Sequence, residues 1–350
     1  MTTLHQTAQD AIAHLATVLP TAPSAGLQHM VTDLMATGLP LSFDRLTGSP
    51  VGSAQVRADG IVISLADVPL NEGVVGHELA AALLETKGWP CLFAGEDADM
   101  WIGRLQKTLA SLLDHSAGVA LQRSYAIDCE PYEQFLLDTQ QASMNLLNAK
   151  SPILNTLDMT SEQEIEYGVG LALTAVERFW RTHIVPADFM NAMTLFPGSQ
   201  ALFIAITDMV TEGTPAQGWP ARRLMGQIVE RIDDYMEIKG DVRPMTVLSH
   251  FVPAIHPDDA DQALGNVARL VMVPLDTDLT GEHSILILPH RDGLPFGFRQ
   301  VLSSAETMQD FAERVVRAPY AAFCRALVPE SFCFWQPEGP SELLRQPTLV

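Results

Sequence analysis

The chain has 350 residues, of which 47% are hydrophobic and 18% are charged, a composition that is typical of packed globular structure and excludes a disordered chain. Lys and Arg number 21 against 42 Asp and Glu, which gives a net charge of −21, and we find no basic cluster. Because duplex affinity comes largely from cationic neutralisation of phosphates, we expect no nucleic-acid partner. No stretch reaches the roughly 18 uninterrupted apolar residues that a membrane span requires, so we expect no membrane partner.

Short helices and strands are predicted in the first part of the chain. Apolar residues at helical spacing predict amphipathic helices over residues 7–18 and 27–35. The dipeptide Asp59-Gly60 is a turn signal between two short β-like runs within residues 55–64. Asn71 is a suitable N-cap for the apolar helix that follows.

Helical patterns then dominate to residue 238. Ser161-Glu162-Gln163-Glu164 has the capping-box pattern, which predicts Ser161 as the N-cap of a long helix. The predicted helices cover residues 97–113, 116–125, 132–148, 161–182, 199–210 and 220–238.

The pattern changes near Gly240. Turn signals at Thr280-Gly281 and Asp292-Gly293 separate stretches that read as strands, and two further helices are predicted. The strands are placed at 245–251, 268–274 and 284–288, and the helices at 257–266 and 305–327. We therefore predict an α+β fold with a mostly helical first domain, 1–240, that contains a small sheet, and a smaller α+β domain, 241–350, that ends in an extended tail.

The four cysteines are far apart and form no CxxC pair, so a zinc knuckle or a thioredoxin-like motif is not indicated and we expect buried thiols. The N-terminal residues lack the basic start and apolar core of a secretory signal. We therefore expect a cytoplasmic protein.

The most informative segment is the helix predicted over Val74 to Glu85. In zinc-dependent peptidases a helix of this kind carries HExxH, in which two histidines four residues apart reach the metal and the glutamate acts as general base. His77 and Glu78 have the required positions, but Ala81 stands where the second histidine is expected. Alanine has no lone pair, so zinc binding should weaken by several kcal/mol out of the roughly 10–16 kcal/mol of a structural site.

A second pair of segments lies downstream, at Asp114-His115 and at Tyr125-Ala126-Ile127-Asp128. Together with the His77-Glu78 helix they resemble a group of uncharacterised bacterial zincin-like proteins, over about residues 40–130. In that group a strand precedes HExxH, a later helix presents Glu-His, and an aromatic-rich helix ends in Gly-Phe-Asp. Asp114 replaces the glutamate of that pattern.

The resemblance implies a site in which His77 and His115 are the metal ligands, zinc is the ion and Glu78 is the catalytic base. The missing ligand at Ala81 could be supplied by another histidine of the chain. His183 is more simply explained as a cation at a helix C-terminus. The remaining candidates are two pairs at predicted strand ends, His250 with His256 and His283 with His290.

Three functions remain open from the sequence. The first is a degenerate zincin-like protein that is non-catalytic and serves a binding or scaffolding role for an unknown protein or peptide partner. The second is a metal-dependent hydrolase, a peptidase, that uses His77, Glu78 and His115. The third is an acidic interaction protein unrelated to peptidases. No G-x-S-x-G, G-x-G-x-x-G or Walker A motif occurs, so serine hydrolysis and nucleotide binding have no support.

Overall fold

A computed structural model describes most of the chain, and the α+β fold class with mostly helical content is confirmed. The described residues are 4–45, 52–57, 60–65, 70–91, 101–154, 160–182, 197–211, 218–238, 251–274, 282–301, 308–327, 333–334 and 342–343.

The first part of the chain packs two helices and a small mixed sheet around the helix that carries His77. The Thr7 and Ser24 side chains accept hydrogen bonds from backbone N–H groups and so begin the first two helices. The elements are α1 (Ala8–Val18), α2 (Ala25–Met35), α3 (Glu72–Glu85), β1 (Leu4–His5), β2 (Leu41–Arg45), β3 (Ser53–Arg57) and β4 (Gly60–Leu65).

The sheet has the order β1-β2-β4-β3. Strands β2 and β4 are parallel, with Leu41 opposite Ile61, and β3 returns antiparallel to β4 with Val56 opposite Ile61. The predicted turn between β3 and β4 is consistent with this pairing, although Asp59 itself lies outside the described residues. Strands β1 and β3 form the two edges of this sheet.

Long helices form the middle of the chain, as predicted, with two differences. They are α4 (Trp101–Ser124), α5 (Glu130–Leu154), α6 (Ser161–Thr182), α7 (Gln200–Thr211) and α8 (Trp219–Ile238). The prediction of separate helices over 97–113 and 116–125 was wrong, because residues 114–116 contain no glycine or proline and the helix continues through them. The capping box lies one residue earlier than predicted: the Gln163 N–H donates to the Thr160 hydroxyl, and the Thr160 N–H donates to the Gln163 side chain.

The last part of the chain contains several short elements and a three-stranded antiparallel sheet, in which the strands follow one another in chain order. The helix predicted over 257–266 is two separate turns, and the one predicted over 305–327 is broken at Pro319, which cannot continue an α-helix. The elements are β5 (Ala254–Ile255), α9 (Pro257–Ala260), α10 (Leu264–Val267), β6 (Ala268–Pro274), β7 (Glu282–Pro289), β8 (Phe296–Val301), α11 (Met308–Arg317), α12 (Tyr320–Leu327), β9 (Cys333–Phe334) and β10 (Glu342–Leu343).

Two hydrophobic cores lie in the described residues. The larger one is formed by α1 to α8 and the first sheet, and the smaller one by residues of the last part such as Phe296, Phe311 and Tyr320. Phe251 and Leu294 belong to the larger core although they come late in the chain. The predicted domain boundary at residue 240 falls within 239–250, outside the described residues, and the division into two domains stays a prediction.

A buried ion pair ties α8 to the turn after β7. The Arg222 guanidinium donates to Asp292 at 2.6 Å, and both side chains are 1% exposed or less. A second Arg222 nitrogen donates to the Val252 carbonyl, and Asp292 also accepts the Leu294 N–H. Each charge therefore has partners that compensate for the loss of water.

Among the described residues, no helix combines the length and the apolar character needed to cross a lipid bilayer.

We expect Asp292→Ala to destabilise the protein by about 3–5 kcal/mol, because it leaves the Arg222 charge buried without its partner. Asp234→Ala is the matched control, since the Arg231–Asp234 pair is 54% and 55% exposed and such pairs contribute about 0–1 kcal/mol. Urea unfolding of both variants measures the difference. Equal losses of unfolding free energy in the two variants would contradict the assignment.

Candidate functional site

Helix α3 places His77 and Glu78 in the interior. The Asn71 side chain accepts the Val74 N–H at 3.0 Å and caps the helix, as predicted. Every residue from 73 to 84 is buried except Ala81, which is half-buried. A helix that is apolar on nearly all sides is buried on nearly all sides, so His77 and Glu78 are only 6% and 7% exposed.

Helix α4 brings His115 against His77. Their ring centres are 5.2 Å apart with an interplanar angle of 69°. A Cβ at Gly118 would lie 3.2 Å from Nδ1 of His77, so glycine at this position lets the ring approach the backbone of α4. Zinc–nitrogen bonds of about 2.0–2.1 Å and a tetrahedral angle would place two bound imidazole centres about 5 Å apart. The two predicted ligands therefore have a separation suited to one metal ion.

Glu177, on α6, is the third member of the site and was not found from the sequence. Its Oε1 accepts a hydrogen bond from Nδ1 of His115, and the two side chains are 12% and 23% exposed. Glu177 directly follows Val176 on the buried stripe of α6. An acidic residue next to such a stripe could have predicted a buried partner of opposite charge, because charged side chains are rarely buried without a partner.

Two further contacts enclose the two α3 side chains. The Tyr132 ring, from α5, stacks on His77 with ring centres 4.3 Å apart. A Cβ at Gly52 would lie 2.6 Å from Oε1 of Glu78, so glycine allows the backbone before β3 to approach this carboxyl. The Nδ1 atom of His77 is buried and, within the described part of the chain, has no hydrogen-bond partner.

The two histidines differ in charge. Burial, and then the positive charge of His115, lower the pKa of His77 well below its ordinary value, so this ring is neutral. Burial also acts to lower the pKa of His115, but the hydrogen bond and charge of Glu177 outweigh it, with Asp114 and Glu78 adding to them, and the net direction is upward. Glu177 therefore favours the protonated form of His115.

The pKa values of the neighbouring carboxyl groups are raised, which favours their neutral, protonated forms. Burial raises the pKa of Glu78 to about 7, against the opposing charge of His115. Burial also raises the pKa of Asp114 to about 7, although His115 and a hydrogen bond from the Trp89 indole oppose the shift. Burial and the charge of Asp114 raise the pKa of Glu85 to about 8, against hydrogen bonds from the Val56 N–H and Cys91. Titratable groups with such shifts cluster at functional sites, although structural networks also produce them.

A complete catalytic zinc site does not fit these residues. Such a site holds three protein ligands and one water molecule, and Ala81 removes one of the three. Within the described ranges, no three His, Cys, Asp or Glu side chains are grouped to hold a metal ion.

The other candidate histidines do not supply the missing ligand in the described structure. His256 accepts the Asp258 N–H through Nδ1 and so caps α9, and His290 is exposed. His183, His250 and the side chain of His283 lie outside the described residues. Cys129 and Cys324 are buried free thiols, as predicted, and Cys91 is a half-buried one.

Comparison of the chain with protein-family models, with curated proteins and with solved structures found no match. The resemblance to zincin-like proteins therefore rests on the residues of this chain alone.

We expect Glu177→Gln to lower the pKa of His115, because the hydrogen bond and the charge of the adjacent carboxylate shift a histidine upward. A raised histidine pKa stabilises the fold at low pH, and that contribution is lost as the pH rises through the folded-state pKa. The variant should therefore lose unfolding free energy at pH 5 and little at pH 9. The ring resonance of His115, followed by NMR across this range, measures the pKa directly.

Asp33→Asn is the control for this prediction. It removes a carboxylate from the exposed His29–Asp33 pair and should leave the titration of His115 unchanged. An unaltered His115 titration in Glu177→Gln would contradict the role assigned to Glu177.

Proposed function

We propose that the protein is a degenerate zincin-like protein that no longer hydrolyses peptides and serves a binding or scaffolding role in the cytoplasm. The observation that carries the proposal is Ala81, one helical turn after His77, on a helix that otherwise brings His77, Glu78 and His115 together. A catalytic site that has lost one ligand keeps its packing but loses most of its affinity for metal.

The electrostatics of the site support the same proposal. In a zinc enzyme the ion is the largest positive charge near the general base. Here Glu177 favours the protonated form of His115, and the charge of that form acts on Glu78. The buried groups therefore favour one another without a metal ion, and the cluster links α3 to α4 and α4 to α6.

The partner in this proposal is a protein or peptide, and we propose neither nucleic acid nor membrane. The net charge of −21 disfavours phosphate backbones and anionic lipid surfaces. The same charge would also serve an acidic interaction protein without peptidase ancestry.

We expect His77→Ala to leave the zinc content of the protein, purified without chelator, unchanged, and we expect Ala81→His to raise that content by up to one ion per chain. The Ala81→His substitution restores HExxH on α3. Residue 81 is half-buried, and its spacing of four residues places the new ring on the same helix face as His77. Elemental analysis of dialysed protein gives the stoichiometry. The double variant Ala81→His, His77→Ala is the matched control and should show no such increase.

Separate results would contradict the two parts of the proposal, the loss of the metal site and the zincin-like ancestry. Stoichiometric zinc in the unmodified protein that His77→Ala abolishes would overturn the loss of the metal site. An Ala81→His variant that folds but gains no zinc would overturn the zincin-like ancestry and leave an acidic interaction protein.

A second candidate function, a metal-dependent peptidase, is favoured by two observations. The pKa of Glu78, at about 7, is the value that suits a general base at neutral pH. In addition, a carboxylate that holds the Nδ1–H of a histidine, as Glu177 does, is the usual support of a metal-binding imidazole.

This candidate predicts that zinc-supplemented protein cleaves an unfolded protein substrate and that Glu78→Gln reduces the rate at least about 100-fold, the contribution of a general base. The degenerate protein should instead show no zinc-dependent cleavage, with Glu78→Gln indistinguishable from the unmodified chain. Glu230→Gln, at an exposed position of α8, controls for the loss of a carboxylate.

A further inference from the structure

A second pair of histidine rings lies at the β1 edge of the first sheet. His5, in β1, and His14, in α1, have ring centres 5.0 Å apart with an interplanar angle of 48°. Phe43, in β2, holds both rings: it stacks on His14 at 5.5 Å and 8°, and its centre is 6.0 Å from that of His5. An apolar side chain therefore packs against both rings and holds them in place.

One of the two rings carries an unsatisfied polar atom. His5 is 5% exposed, and its Nε2 is buried with no hydrogen-bond partner among the described residues. A buried polar atom without a partner costs about 1–3 kcal/mol. His14 is half-buried, so one ring of the pair is reached from solvent.

The surroundings of the pair favour the neutral form of the His5 ring and include the negative charge of Asp10. Burial, and then the charge of His14, lower the pKa of His5, against the opposing charge of Asp10. Asp10 lies four residues before His14 on α1, so the two side chains share one face of the helix. One Asp10 oxygen accepts the Thr7 hydroxyl at 2.7 Å, which holds the carboxylate at the start of this helix.

We propose that His5 and His14 form a binding site for a late first-row divalent transition-metal ion. Imidazole nitrogens suit Zn²⁺ and Cu²⁺, and two rings bound to one tetrahedral ion have centres about 5 Å apart, the separation observed here. Because no third His, Cys, Asp or Glu of the described chain is grouped with them, water completes the coordination and Asp10 contributes its charge. This site does not depend on the function proposed for His77 and His115.

Isothermal titration of Zn²⁺ into the full chain, prepared without a polyhistidine tag, tests the site. We expect His14→Ala to weaken one binding event by at least about tenfold, since it removes one of two protein ligands. His29→Ala is the matched control, because His29 is an exposed histidine on α2 that pairs with Asp33. It should leave that event unchanged, and so should His77→Ala.

A second measurement uses the unmodified protein and so does not depend on how a variant folds. Substoichiometric Cu²⁺ should broaden the ring resonances of His5 and His14 in NMR spectra before that of His29. Unchanged Zn²⁺ affinity in His14→Ala, or broadening of His29 together with or before the pair, would overturn the proposal. Broadening of His77 and His115 is read from separate resonances and bears on the other site alone.

Discussion

The position of α3 constrains the rest of the structure. This helix is buried along almost its whole length, yet it carries an imidazole and a carboxyl group in its second turn. Buried polar and charged groups must find partners within the protein. His115 from α4 and Tyr132 from α5 contact His77 on this turn, and Glu177 from α6 contacts His115. The arrangement of three long helices is therefore coupled, directly or through His115, to this short segment.

Charge compensation explains how α3 accommodates polar side chains in the interior. The charge of His115, which Glu177 favours, opposes the effect of burial on Glu78, and burial moves the pKa of Glu78 to about 7. A neutral His77 adds no further charge to the interior. The cluster is thus consistent with the fold in the absence of an ion. Its shifted carboxyl groups are the features that an active enzyme would also show.

Local sequence signals predicted most of the helices and strands, and the errors have physical causes. Asn71 begins α3 as predicted, because capping depends only on neighbouring residues. The predicted break near residue 115 was wrong because residues 114–116 contain no glycine or proline to end the helix, whereas Pro319, inside a predicted helix, does break it. The capping box at Thr160 and Gln163 was misplaced by one residue, since Ser161 and Glu164 fit the same pattern. The joining of late residues such as Asp292 to α8 has no local signal.

The sequence by itself determined the chemistry available on α3: one imidazole, one carboxyl group and, at Ala81, no further ligand. It also predicted that His115 belongs beside His77, and their rings are 5.2 Å apart. Only the tertiary structure decided that Glu177 holds His115, that Asp292 compensates Arg222, and that His5 meets His14. In each case the partners come from different elements, and their contact depends on how those elements pack together, which the spacing of residues along the chain does not specify.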